Sequence, residues 1–206
     1  MKSDKWKSRL GDLMLTVTLV ASLLVVIYFM PPKAVNIYTA PIMILVLIPT
    51  IMALVNGAPF VPTPMEAVEN VLKLAKIKRG EKIYDIGCGD GRMVYLAAKE
   101  YGADATGFEL SPLVYCLARI RHLFWRSKAK IRFANFKSKD LSDADVIVCY
   151  LLPDTLARLQ EKLDRELKKG ARVVSYAFPV GNWKVSHRQE RDAAKNIAPI
   201  WVYEKK

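Results

Sequence analysis

The nine residues YDIGCGDGR, Tyr84 to Arg92, constrain this chain more than any other stretch. A short apolar strand ends on an acid, and Gly87, Gly89 and Gly91 then alternate through five positions before a helical pattern begins. Lacking a Cβ, such a turn bends tightly and lets a ligand lie against bare backbone. In a sheet built of strand–helix units, ligands bind outside the carboxyl ends of the strands, which is where this turn falls. The spacing is G-C-G-D-G, so the third glycine comes too early for a dinucleotide fingerprint. Asp90 would also put a carboxylate where a pyrophosphate docks on a helix N-terminus. No Walker lysine follows, which argues against a nucleotide triphosphatase. A cationic or zwitterionic ligand suits the turn better; the plain alternative is a tight turn that holds nothing.

Around the turn the pattern alternates. Strands are predicted over 82–85, 105–109, 131–134, 146–150 and 172–176, with helices over 92–101, 112–125 and 153–168. Repeated strand–helix units with apolar strands imply an α/β fold, a mostly parallel sheet with helices on both faces. Two β-prone stretches near the end, 183–186 and 200–203, read as an antiparallel hairpin closing the sheet. Before the sheet, residues 56–64 carry three prolines and form a rigid connector. A helix should follow to about residue 76, with Thr63 as N-cap, Pro64 at N1 and Glu66 completing a capping box.

The N-terminal quarter has a different character. Residues 13–30 are eighteen without a charge, the lower limit for a spanning helix, and residues 40–55 form a second apolar run broken by Pro49. The expectation is a membrane anchor over 1–55, of two spans or one, and a catalytic domain over 56–206. Basic residues flank both runs, which places that domain in the cytoplasm at the cell membrane. Residues 1–55 hold five basic and two acidic residues, so most of the net charge of +12 belongs to the domain. That charge suits an anionic lipid membrane or, less well, nucleic acid. Cys88, Cys116 and Cys149 each lie in or near apolar runs and read as buried thiols, and two histidines exclude a His-rich metal site.

Glu109 ends the second strand twenty residues after Gly89, where an acid can accept from both hydroxyls of a ribose. With the glycine turn, it makes the chain resemble the class I S-adenosylmethionine-dependent methyltransferases, with their Rossmann-like sheet, from about Phe60 to the end. The resemblance implies that Asp85, Gly87, Cys88, Gly89, Asp90 and Gly91 surround the methionine part of the cofactor. It puts the ribose at Glu109 and Leu110, and the adenine at Asn135 and Phe136, where the family more often has an acid than Asn135. The motifs PFVPTP, GFELSP, YLLP and ARVVSYAFPVGNW narrow the likeness to protein-lysine methyltransferases. That group includes archaeal enzymes and membrane-anchored mitochondrial ones that trimethylate lysines of membrane proteins.

On that resemblance, Tyr150 presents the methyl group, with Leu151, Leu152 and Pro153 shaping the wall. Phe60, Pro62 and Thr63 cover the cofactor, and Phe178, Pro179 and Trp183 form an outer rim. A protein bearing a target lysine, a membrane protein among the candidates, is the implied partner. Cys149-Tyr150-Leu151-Leu152-Pro153 lacks the Asn/Asp-Pro-Pro-aromatic motif of adenine N-methylation, and Cys149 reads as a packed strand residue rather than a nucleophile. The alternatives left open are a methyltransferase for RNA or a lipid-like small molecule, and an inactive cofactor-binding scaffold.

Overall fold

The computed structural model describes residues 60–206, with Tyr28, Pro41 and Ile44 as isolated positions before them. The chain divides into two units, Met1–Thr50 and Ile51–Lys206. In the second, helix α1 (Met65–Leu74) precedes β1 (Lys82–Ile86), α2 (Arg92–Tyr101), β2 (Asp104–Glu109), α3 (Pro112–Phe124) and β3 (Lys130–Phe133). A 3-10 turn (Phe136–Ser138) leads to β4 (Val146–Cys149), α4 (Pro153–Glu166), β5 (Arg172–Tyr176), β6 (His187–Gln189) and β7 (Ile200–Glu204). The strands form one seven-stranded sheet in the order β3-β2-β1-β4-β5-β7-β6. The first five are parallel, and β7 runs antiparallel between β5 and β6.

Alternation along the strands builds two cores. Val146 and Val148 of β4 face α1 and α2, where Val68, Leu72 and Val94 are buried. Ile147 and Cys149 face α4, where Leu156 and Leu163 have no exposed surface. β4 is buried at every residue because both its edges and both its faces are covered. The crossover from β3 to β4 holds only the 3-10 turn, so among the described residues the α4 face is without a helix over β1–β2–β3. There Phe108 is shielded by a tilted Tyr84 ring, and Tyr84 donates to Asp143.

Several expectations are corrected. Among the described residues no helix is long and apolar enough to cross a membrane. Apart from Tyr28, Pro41 and Ile44, the two apolar runs, 13–30 and 40–55, lie outside the described residues, and the N-terminal transmembrane helices and cell-membrane placement are set aside. The capping box does not form: Pro64, at ψ 141°, is itself the N-cap, and no side chain caps the helix. Glu66 instead reaches Lys195 at 2.5 Å. The first strand of the closing hairpin falls at His187–Gln189, not 183–186, because pairing with β7 sets His187 opposite Val202. Cys116 is exposed, whereas Cys88 and Cys149 are buried.

Candidate active site

The loops after β1, β2 and β4 meet at the carboxyl edge of the sheet. After Ile86 the chain folds back, and Gly87 and Cys88 both donate their N–H groups to the Phe108 carbonyl. Gly89 and Gly91 take left-handed conformations, at φ +57° and +80°, which side chains resist. Close packing is the second constraint on Gly89, where a Cβ would stand 2.5 Å from the Phe60 ring. Phe60 thus lies directly on the turn.

Glu109, at the end of β2, organises this edge. Its Oε2 accepts from the Gly89 N–H at 3.0 Å, and its Oε1 from Leu110 and Ser111 at 2.9 and 2.7 Å. Burial raises its pKa, and the three N–H groups only partly oppose this. Beside it Asp85 is buried, and desolvation pushes its carboxyl up to about 8, with the charges of Glu109 and Asp90 adding to the shift. An edge with surplus carboxylate and bare backbone fits a ligand that brings positive charge.

Asp90 is differently engaged. Burial alone would raise it, but it is held below the usual carboxylate range by Arg92, which binds it at 2.5–3.2 Å, and by Arg121. Arg92 also donates Nη1 to the Thr63 carbonyl at 2.5 Å, fastening the connector to the turn. Thr63 is buried, while Phe60 and Pro62 keep an exposed outer side. His122 of α3 completes the support, its Nε2 lying 3.0 Å from the Gly91 carbonyl. Arg92, Arg121 and His122 were not singled out as site residues. Arg92 adjoins the motif, but nothing in the local sequence ties Arg121 or His122 to a turn thirty-one residues away.

On the other side, Tyr150 follows β4 and meets Tyr176 edge to face at 5.0 Å. Leu151 is buried against Gly87, whose added Cβ would lie 3.1 Å from Cδ2, and Pro153 opens α4. After β3, Asn135 is exposed. Its Oδ1 accepts from the Lys137 N–H at 3.0 Å. Phe136 packs partly into the α4-side core. Cys88 and Cys149 are buried, and burial pushes both thiols up, Cys149 to about 12, so neither is a ready nucleophile. Trp183 is not brought to this edge. Its Nε1 donates to Asp164 at 3.0 Å, eleven residues along α4 from Pro153 and so about 16 Å down the helix.

The family described as the ANTKMT methyltransferase domain matches residues 85–187. A protein-lysine N-methyltransferase of Saccharolobus islandicus is 38% identical over 135 residues, covering 64% of this chain and 84% of that protein. The adenine nucleotide translocase lysine N-methyltransferase of Mus musculus is 39% identical over 132 residues, covering 61% of this chain; the chain spans only 56% of the mouse protein. Among solved structures, an RNA methyltransferase from Salinibacter ruber bound to S-adenosyl-L-homocysteine superposes with a TM-score of 0.66 at 30% identity. That match covers 70% of this chain and 93% of the other.

Proposed function

Since the chain belongs to the ANTKMT methyltransferase domain family and is an S-adenosylmethionine-dependent methyltransferase, we propose that its acceptor is the side-chain amine of a lysine in a protein. The observation that supports this most is the meeting of the glycine turn, Glu109 and Tyr150 at one sheet edge, in a chain whose archaeal and mouse relatives are lysine methyltransferases.

The cofactor supplies a methyl group already activated on a sulfonium, so the protein's part is alignment and exclusion of water. In this reading, Glu109 takes a ribose hydroxyl at the acceptor site that its three N–H donors leave on Oε2. The bare backbone of Gly87 and Gly89 lies along the methionine, and Asp85, on giving up the proton that burial holds on it, supplies the charge its cationic groups need. Phe60, held over Gly89, keeps water from one side. Asn135 and Phe136 stand on the adenine side. At the other end Tyr150, Leu151 and Pro153 line the approach. A lysine amine near its free pKa of about 10.4 must lose a proton before it attacks. Desolvation among aromatic and aliphatic groups favours the neutral amine. Tyr150, braced by Tyr176, is the residue that orients it.

The test is transfer of radiolabelled methyl from S-adenosylmethionine into a cell extract, separated into protein, RNA and lipid. Label should enter protein with the wild type and vanish with Glu109→Ala. Label in RNA would instead favour the second reading, which the Salinibacter structure supports.

A further inference from the structure

Helix α3 is apolar on the wrong side. Its inward face carries Ala118 and His122, both buried. Its outward face carries Leu113, Leu117, Ile120 and Phe124, spaced 4, 3 and 4 residues apart, which is one continuous helical stripe. These side chains are 50, 43, 56 and 80% exposed, and Leu123 beside them is 76% exposed. Single exposed apolar residues need no explanation, but a run of five on one helix marks an interaction surface.

Position and charge narrow the partner. α3 starts at Pro112, directly after Glu109–Ser111, so the stripe begins at the edge where the cofactor binds. The helix contains Arg119 and Arg121 and no acid. Beside the stripe, Leu123 borders a cavity of about 600 Å³, lined also by Arg119, His122, Arg126, Lys130 and Arg132. Among the described residues, Arg119, Arg126 and Arg132 form no ion pair, while Lys130 pairs with Asp104. The charge of this lining suits an anionic group such as a carboxylate.

We propose that the outward face of α3 docks an apolar helical segment of the protein substrate, one that carries acidic side chains beside its apolar stripe. This rests on the reading of the chain as a protein-lysine methyltransferase. It adds a recognition surface outside the reacting edge, by which the enzyme selects a protein rather than any accessible lysine. The stripe supplies apolar contact and the cavity supplies the sign of charge, which together discriminate among apolar helices.

Two fluorescent peptides of about 20 residues serve as probes. Both carry leucine at heptad spacing; one has glutamates beside the stripe and the other has lysines. The full chain should bind the glutamate peptide about tenfold more tightly. The double variant Ile120→Gln/Phe124→Gln should weaken that binding about tenfold, and Arg119→Glu/Arg126→Glu should reverse the preference. Affinity for S-adenosylhomocysteine should be unchanged in every variant, showing the fold and cofactor site intact. Equal binding of the two peptides overturns the proposal, as does unaltered binding by both variants. Self-association lost in Ile120→Gln/Phe124→Gln would assign the face to a second copy and overturn it too. Peptide binding is read without methyl transfer. Failure of the lysine reading shows separately, as labelled methyl absent from protein.

Discussion

Replacing Glu109 by glutamine exchanges one carboxylate oxygen for an amide NH2 and leaves the volume almost unchanged. In the native site both oxygens are committed, Oε1 to two N–H groups and Oε2 to the Gly89 N–H. A glutamine best keeps its oxygen on the Leu110–Ser111 side and turns its NH2 towards the Gly89 N–H, donor against donor. One charge-assisted bond is lost and a part-buried donor is left unpaired, a cost of about 2 kcal/mol in stability. For the cofactor, a ribose hydroxyl facing an amide rather than a carboxylate loses about 1.5 kcal/mol, roughly tenfold in affinity. Glu109→Ala removes the acceptor altogether, and the loss should reach about 100-fold. Calorimetric titration with S-adenosylhomocysteine gives the affinities, and thermal unfolding gives the stability. If both variants melt lower yet bind as the wild type does, Glu109 only pins the turn, and its assignment to the ribose is refuted.

Other perturbations follow from the same contacts. Asp85 is raised to about 8 against an ordinary value near 4, so the folded protein holds a proton there that the unfolded chain has released. Stability should accordingly fall as pH rises from about 4 to 8, and the melting temperature of Asp85→Asn should lose that part of the slope. Over the same window the cationic cofactor should bind more tightly as pH rises, in wild type but not in the variant, measured by titration at pH 6 and 8. Arg92→Ala strips the buried Asp90 of its main partner and the connector of its anchor, and should destabilise by about 3 kcal/mol in denaturant unfolding. Gly89→Ala forces a side chain at φ +57° against the Phe60 ring. It should weaken cofactor binding by at least about tenfold, whereas Gly170→Ala, where a Cβ would meet nothing, should cost stability alone.

The parallel part of the fold was legible because the central strands carry apolar runs and each helix begins at a turn or proline. Helix 92–101 and strand 172–176 fall where the pattern puts them. The hairpin was harder. β6 is His187-Arg188-Gln189, an edge strand without an apolar alternation, held by pairing and by Arg188 stacked on Trp201 at 4.1 Å. Trp183, the apolar residue that drew the expectation, packs edge to face with Tyr203 beside α4. In the site, the turn and Glu109 were legible because their chemistry is local in sequence. The clasp of Arg92 and Arg121 on Asp90 was not, since the sequence shows a carboxylate but not the cation that folding brings to it. The outward stripe of α3 is illegible in the sequence for a related reason. A helix apolar on both sides looks, in one dimension, like a helix buried on both.

The most direct test of the central claim is amino-acid analysis of protein labelled by this enzyme. Protein methylated with radiolabelled S-adenosylmethionine would be hydrolysed completely and its amino acids resolved, for the wild type and for Glu109→Ala side by side. The account predicts that the label elutes with methylated lysine and is absent from the variant's product. Label eluting with another amino acid, or persisting in the variant, would contradict it.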